Sequence, residues 1–133
     1  MITAVDSSVL FEILKAAPNA KNAALALENA VRRGSACVCA PVVAELGRYF
    51  DRNEQLLEFF ADAQIEYSEI SLAASLEAAR IMRGYAKNTG TKVRVSADFL
   101  IGAHALKQAN CLLTNDSGFF RDYFKGLKLA HPA

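Results

Sequence analysis

Residues 1–14 read MITAVDSSVLFEIL. The segment ITAV is short, apolar and mostly β-branched, which predicts a buried strand. The segment SSVLFEIL that follows carries apolar residues at helical spacing and predicts a helix closed by Pro18. Asp6 stands between them. A carboxylate at such a junction has two uses. It can cap the helix by accepting from its free N–H groups. It can also be presented at the open end of a parallel sheet, where ligands bind in α/β folds. One aspartate leaves both readings open.

Outward from this stretch the same alternation repeats. NAKNAALALENAVRR predicts a helix with Asn19 as its cap, Gly34 as its stop and a stripe at Ala20, Ala23, Ala24, Leu27, Ala30 and Val31. ACVCA predicts a strand. Pro41 suits the first turn of a helix through VVAELGRYF. NEQLLEFFADA predicts a helix and IEYSEI a strand. SLAASLEAARIMRGYAKN predicts a long helix with an apolar stripe at Leu72, Leu76, Ala79, Met82 and Ala86. SADFLIGAHALKQA predicts a helix capped by Ser96, CLLT a strand, SGFFRDYF a short helix, and LKLA a last strand or tail. Apolar strands that alternate with helices imply an α/β fold: a central, mostly parallel sheet of four to five strands with helices on both faces.

The 133 residues suit one domain spanning 1–133. A hydrophobic fraction of 53% and a charged fraction of 22% exclude a disordered chain. The net charge is +1, so any attraction to phosphates must come from a local patch. No apolar run approaches the roughly 20 residues needed to span a membrane, and the opening has no signal-peptide pattern. Cys37, Cys39 and Cys111 form no disulfide framework and read as small apolar filler, in keeping with a reducing cytoplasm.

Three further acids share the odd setting of Asp6. Glu45 lies within PVVAELG at the edge of a stripe made by Val42, Leu46, Tyr49 and Phe50. Asp98 opens the nearly apolar helix DFLIGAHAL. Asp116 follows CLLT and precedes a helix, as Asp6 does. Singly, the three aspartates can be read as helix-terminal residues that favour the dipole. Jointly they say more. In a parallel sheet the strand C-termini and the N-termini of the following helices share one edge, so the four carboxylates converge there. Like charges in one place repel and take up protons. A divalent cation removes the conflict, and oxygen-only ligands suit Mg²⁺ or Mn²⁺. Such ions bind phosphates, so the natural substrate is a phosphodiester. Gly102 and Ala105, on the face of Asp98, predict close approach of that helix to the sheet. His104 reads as a structural or surface residue and not as a ligand, and Glu12 as a helix-edge residue.

With these residues in hand, the chain resembles the PIN-domain family, and most closely the VapC toxins of bacterial toxin–antitoxin pairs. The resemblance covers nearly the whole chain. VDSSVLFEIL is similar to the family's opening strand and first acid. APVVAELGRY is similar to its P-x-V-x-x-E helix, and SADFLIGAHALKQANCLLTND to its acid, small-residue helix, strand and T-x-D segment. The resemblance implies a single PIN-like nuclease domain with Asp6, Glu45, Asp98 and Asp116 as a catalytic, metal-binding quartet. It places Thr114 and Asn115 in the adjoining motif, with Ser7 beside the first acid. Many relatives carry Arg where this chain has Asn115, which weakens any substrate contact there.

The resemblance further implies a cytoplasmic, Mg²⁺-dependent ribonuclease that acts on RNA, forms a homodimer and is held inactive by a cognate antitoxin. Arg80, Arg83, Lys87, Lys92 and Arg94 supply five positive charges with no acid among them, a candidate RNA-binding patch. The alternative is a non-catalytic PIN-fold module that binds RNA or protein. A receiver-type signalling domain is disfavoured, because it needs an acidic pair after the first strand and Asp6 has Val5 and Ser7 as neighbours. Cleavage of DNA ranks below RNA for want of extra elements to clamp a duplex. Tyr49, Phe50, Phe59 and Phe60 suit a dimer or antitoxin surface, or simply the core.

Overall fold

The computed structural model describes residues 1–89 and 96–132. The elements are β1 (Ile2–Val5), α1 (Ser7–Leu14), α2 (Ala20–Arg32), β2 (Ser35–Val38), α3 (Ala40–Gly47), α4 (Asn53–Asp62), β3 (Ile65–Tyr67), α5 (Leu72–Thr89), α6 (Ser96–Gln108), β4 (Cys111–Leu113), α7 (Ser117–Tyr123) and β5 (Leu129–Ala130). The five strands form one sheet in the order β3-β2-β1-β4-β5, and every pairing is parallel. Ala4 of the central strand faces Cys37 on one side and Leu112 on the other. Both flanking strands are apolar for the same reason: a parallel sheet covered by helices hides both faces.

The order of strands matters for the site. The chain leaves β1 toward β2 and later returns to the opposite side of β1 as β4. The crevice between the ends of β1 and β4 is therefore the topological switch point, where side chains from separate connections meet. Right-handed crossovers put α1–α2 on one face and α5–α6 on the other. In agreement, α2 packs on β1 and β2 while α6 packs on β1 and β4. At the opposite edge Gly34 permits the turn into β2, since a Cβ there would lie 2.0 Å from the Met1 carbonyl oxygen.

Three expectations are corrected. The helix after Pro41 ends at Gly47, short of Tyr49 and Phe50. The stripe expected on α5 is turned outward at its start: Leu72 is 75% and Leu76 61% exposed, whereas Ala74, Ala78 and Ile81 are buried and Met82 packs against the core. Helix α5 packs against α6, and small alanines let the two backbones approach where leucines would hold them apart. Gly102 makes its closest approach to a side chain and not to a strand backbone. A Cβ at Gly102 would sit 2.5 Å from the Phe124 ring, so the glycine makes room for that aromatic ring.

Candidate active site

Asp6 extends β1 by one residue, its N–H donating to the Leu113 carbonyl at 2.9 Å. Its side chain is 5% exposed. Oδ2 accepts from Ser8 Oγ at 2.9 Å and from Thr114 Oγ1 at 2.7 Å. Asp6 holds the N-cap position of α1, yet its carboxylate makes no capping bond. Capping therefore does not account for it. Burial pushes the Asp6 pKa above the ordinary 3.8, the two hydroxyls pull it down, and the negative charges of Asp98 and Glu45 push it up again, with a net rise. Three chain segments thus bring acids into electrostatic contact at the end of β1.

Glu45 reaches the site from α3 and is half-buried. Ser7 Oγ, itself buried, donates to Glu45 Oε1 at 2.5 Å. Asp98 lies in the first turn of α6. Asp116 is half-buried at the N-cap of α7 and, like Asp6, makes no side-chain cap bond. It is joined to Asp6 through Thr114, which is fully buried. The Thr114 hydroxyl donates to Asp6 and accepts from the Asp116 N–H at 2.9 Å. Thr114 is thus a hydrogen-bond partner of the Asp6 carboxylate.

Sequence reasoning missed Ser8 and the role of Glu12. Asn115 clips the β4–α7 junction onto α1: its N–H donates to Ser8 Oγ at 3.1 Å, and its Nδ2 donates to the Ser8 carbonyl at 3.3 Å and to Glu12 Oε1 at 2.5 Å. The one available signal was the i, i+4 spacing of Ser8 and Glu12, which puts both on one face of α1.

The donor set is all oxygen, as a hard divalent cation requires. Burial first, and then the charges of Asp98 and Glu45, raise the Asp6 pKa, so a cation beside it would favour the charged form. In chemistry, then, the residues fit Mg²⁺ or Mn²⁺. In geometry they stand apart: among the described residues no three His, Cys, Asp or Glu side chains are arranged to hold a metal ion as they are.

The expected basic patch is smaller than its sequence suggested. Arg80 is engaged by Glu77 in a two-point pair, at 2.9 Å and 2.8 Å. Arg83 and Lys87 are exposed on α5. Lys92 and Arg94 lie outside the described residues. His104 is buried, with Nε2 2.9 Å from Ser68 Oγ, and burial lowers its pKa. Burial pushes the Cys37 thiol to about 11 and the Cys39 thiol to about 12, so both act as filler. Phe60 is in the core, Phe50 and Phe59 pack against it, and Tyr49 is exposed. No helix among the described residues is long and apolar enough to cross a membrane.

A family model described as PIN domain matches residues 3–125. No curated protein sequence matches the chain. Among solved structures, the VapBC2 complex from Rickettsia felis, bound to a DNA fragment from its promoter, contains a chain 21% identical. The match covers 98% of each chain with a TM-score of 0.75. A chain of DNA-bound VapBC from Salmonella typhimurium is 17% identical over 100% of this chain and 99% of that one, with a TM-score of 0.72. A chain of FitAcB from Neisseria gonorrhoeae is 23% identical over 99% and 98%, with a TM-score of 0.65. These likenesses are likenesses of fold.

Proposed function

The chain belongs to the PIN-domain family, and from that premise we propose that it is a Mg²⁺-dependent endoribonuclease, the toxin of a toxin–antitoxin pair. One observation carries the reading: a buried Asp6 at the switch point, with Glu45 and Asp98 close enough to raise its pKa. Asp6, Asp98 and Asp116 are the residues that would hold the ion, with Mn²⁺ as a substitute. Bound there, the metal supplies an activated water and offsets charge on the phosphate and the leaving oxygen.

The chain's own residues do the rest. Ser7 fixes the Glu45 carboxylate, which serves either as a further ligand or as the group that orients the attacking water. Ser8 and Thr114 both bond Oδ2 of Asp6, which leaves Oδ1 without a bond from either hydroxyl. Thr114 ties Asp116 to the same frame. Arg83 and Lys87 of the described residues, with Lys92 and Arg94 beyond them, are candidates to meet the RNA backbone. The VapBC and FitAcB likenesses support a cognate antitoxin as protein partner, and the family reading adds a homodimer in the cytoplasm.

That no three His, Cys, Asp or Glu side chains among the described residues are arranged to hold a metal ion favours the second reading, a non-catalytic module that binds RNA or protein. One experiment separates the two. A panel of tRNAs and structured RNA fragments is incubated with native protein and Asp98→Asn, in Mg²⁺ or Mn²⁺ against EDTA. Cleavage that needs both the metal and Asp98 is expected. Full activity of a folded Asp98→Asn protein overturns the assignment, and RNA binding with no cleavage transfers it to the binding module.

A further inference from the structure

Helix α2 packs over β1 and β2, whereas β5 makes its main contacts with β4 and α7. On the α2 face the end of the sheet is consequently open, and a trough runs between α2 and β5. Its larger part is a cavity of about 380 Å³, floored by Leu113 and Ala130 and rimmed by Asn29, Arg32, Arg33 and His131. A second cavity of about 280 Å³ shares Asn29 and His131 and continues to Asn22. From Asn22 to Arg33 a helix rises about 16 Å, so the trough is longer than any single phosphate.

Its charge is positive. Glu28 pairs with Arg32 at 3.2 Å, but both side chains are more than 60% exposed and the pair is screened by solvent. Among the described residues no carboxylate pairs with Arg33. The trough runs from Arg33, beside Met1 at the far edge of the sheet, to His131 at the edge that carries the acids. His131 follows Ala130, whose carbonyl accepts from the Thr114 N–H at 3.0 Å, and the Thr114 hydroxyl holds Asp6. One strand separates the two. An acidic centre repels the polyanion it must cut, so a neighbouring cationic path has an electrostatic purpose, and a chain of net charge +1 can offer it only locally. The small apolar floor lets a backbone lie against the sheet.

We propose that the trough between α2 and β5 is a second nucleic-acid subsite, in which phosphates of single-stranded RNA flanking the scissile bond lie between Arg33 and His131. The choice of RNA as the polymer rests on the nuclease reading above; the affinity of the trough for a phosphodiester chain does not.

Fluorescence anisotropy with labelled oligoribonucleotides of increasing length tests it, in the Asp98→Asn background, with and without Arg33→Gln or His131→Gln. For long oligomers Arg33→Gln is expected to weaken binding about fivefold at low salt and to reduce the salt slope by about one, with no effect on a dinucleotide. Equal affinity and slope at every length overturn the proposal. So does millimolar inorganic phosphate that abolishes the Arg33-dependent increment at constant ionic strength, since the site then belongs to a small anion. Hydrolysis of bis(p-nitrophenyl) phosphate in Mn²⁺ reports the acidic centre alone, because that substrate is too small to reach the trough. It is expected to vanish in Asp98→Asn and to persist in Arg33→Gln. Its persistence in Asp98→Asn sinks the nuclease reading and leaves the length-dependent test of the trough intact.

Discussion

The β1–α1 and β4–α7 junctions share one plan: a parallel strand, an aspartate at its end, a helix at once. They use it differently. Asp6 is placed by the sheet, through its N–H on Leu113, and its carboxylate is buried between two hydroxyls. Asp116 is placed by side chains, with its N–H on the Thr114 hydroxyl and its neighbour Asn115 clipped to α1. The first acid is fixed and carries an electrostatic penalty. The second is half-exposed and held by bonds that single substitutions remove. Equal sequence patterns thus become an anchor and an adjustable arm, and burial makes the difference.

The sharpest way to break this contrast is to neutralise each acid in turn. Asp6→Asn and Asp116→Asn are each expected to lower RNA cleavage by at least about a hundredfold, the scale of losing one preorganised charged group. Thermal unfolding without metal is expected to separate them. Asp6→Asn raises Tm, because it removes a carboxylate that burial and its neighbours disfavour, and Asp116→Asn does not. The sign in pH follows. A raised folded-state pKa means the native protein holds the proton more tightly. The contribution of Asp6 to stability is present in full below the ordinary 3.8 and is lost as pH rises through the raised value. The native-minus-Asp6→Asn stability difference should fall across that window. A flat difference would remove the contrast.

Next in size is Thr114→Val, which strips the hydroxyl that serves both junctions. A loss of about 2 kcal/mol in urea unfolding is expected, the cost of a buried bond to a charged group, with recovery in Thr114→Ser. A loss below a few tenths would mean the junctions are not joined there. The smallest effect is expected from Asn115→Ala, about 1 kcal/mol. It should raise the Mn²⁺ concentration needed for half-maximal cleavage while leaving the Asp6 pH window in place. A shift in that window would show that the arm and the anchor are coupled.

The strands, and the acids placed at their ends, were legible because each depends on near neighbours: a short apolar run, then an acid, then a helical stripe. The burial of α5 was not. Leu72 and Leu76 outrank Ala74 and Ala78 in hydropathy, but contact with α6 selects small side chains over apolar ones. Gly102 was legible as a close-approach residue, yet its neighbour Phe124 lies in another element. Ser8 and Glu12 were hidden for a different reason. Their partner Asn115 is more than 100 residues away, and no local period reports such a bond. His104 was read as structural or surface, and its burial against Ser68 selects the first.

The two outermost strands have a consequence for the life of the protein in a crowded solution. β3 is three residues long and β5 only two. A sheet margin recruits another chain through its row of outward N–H and C=O groups, and here that row is almost too brief to template anything. The inner strands β1, β2 and β4, which are mostly apolar, are already paired on both sides. A protein built this way resists edge-to-edge fibre growth without needing charged guards along its rim.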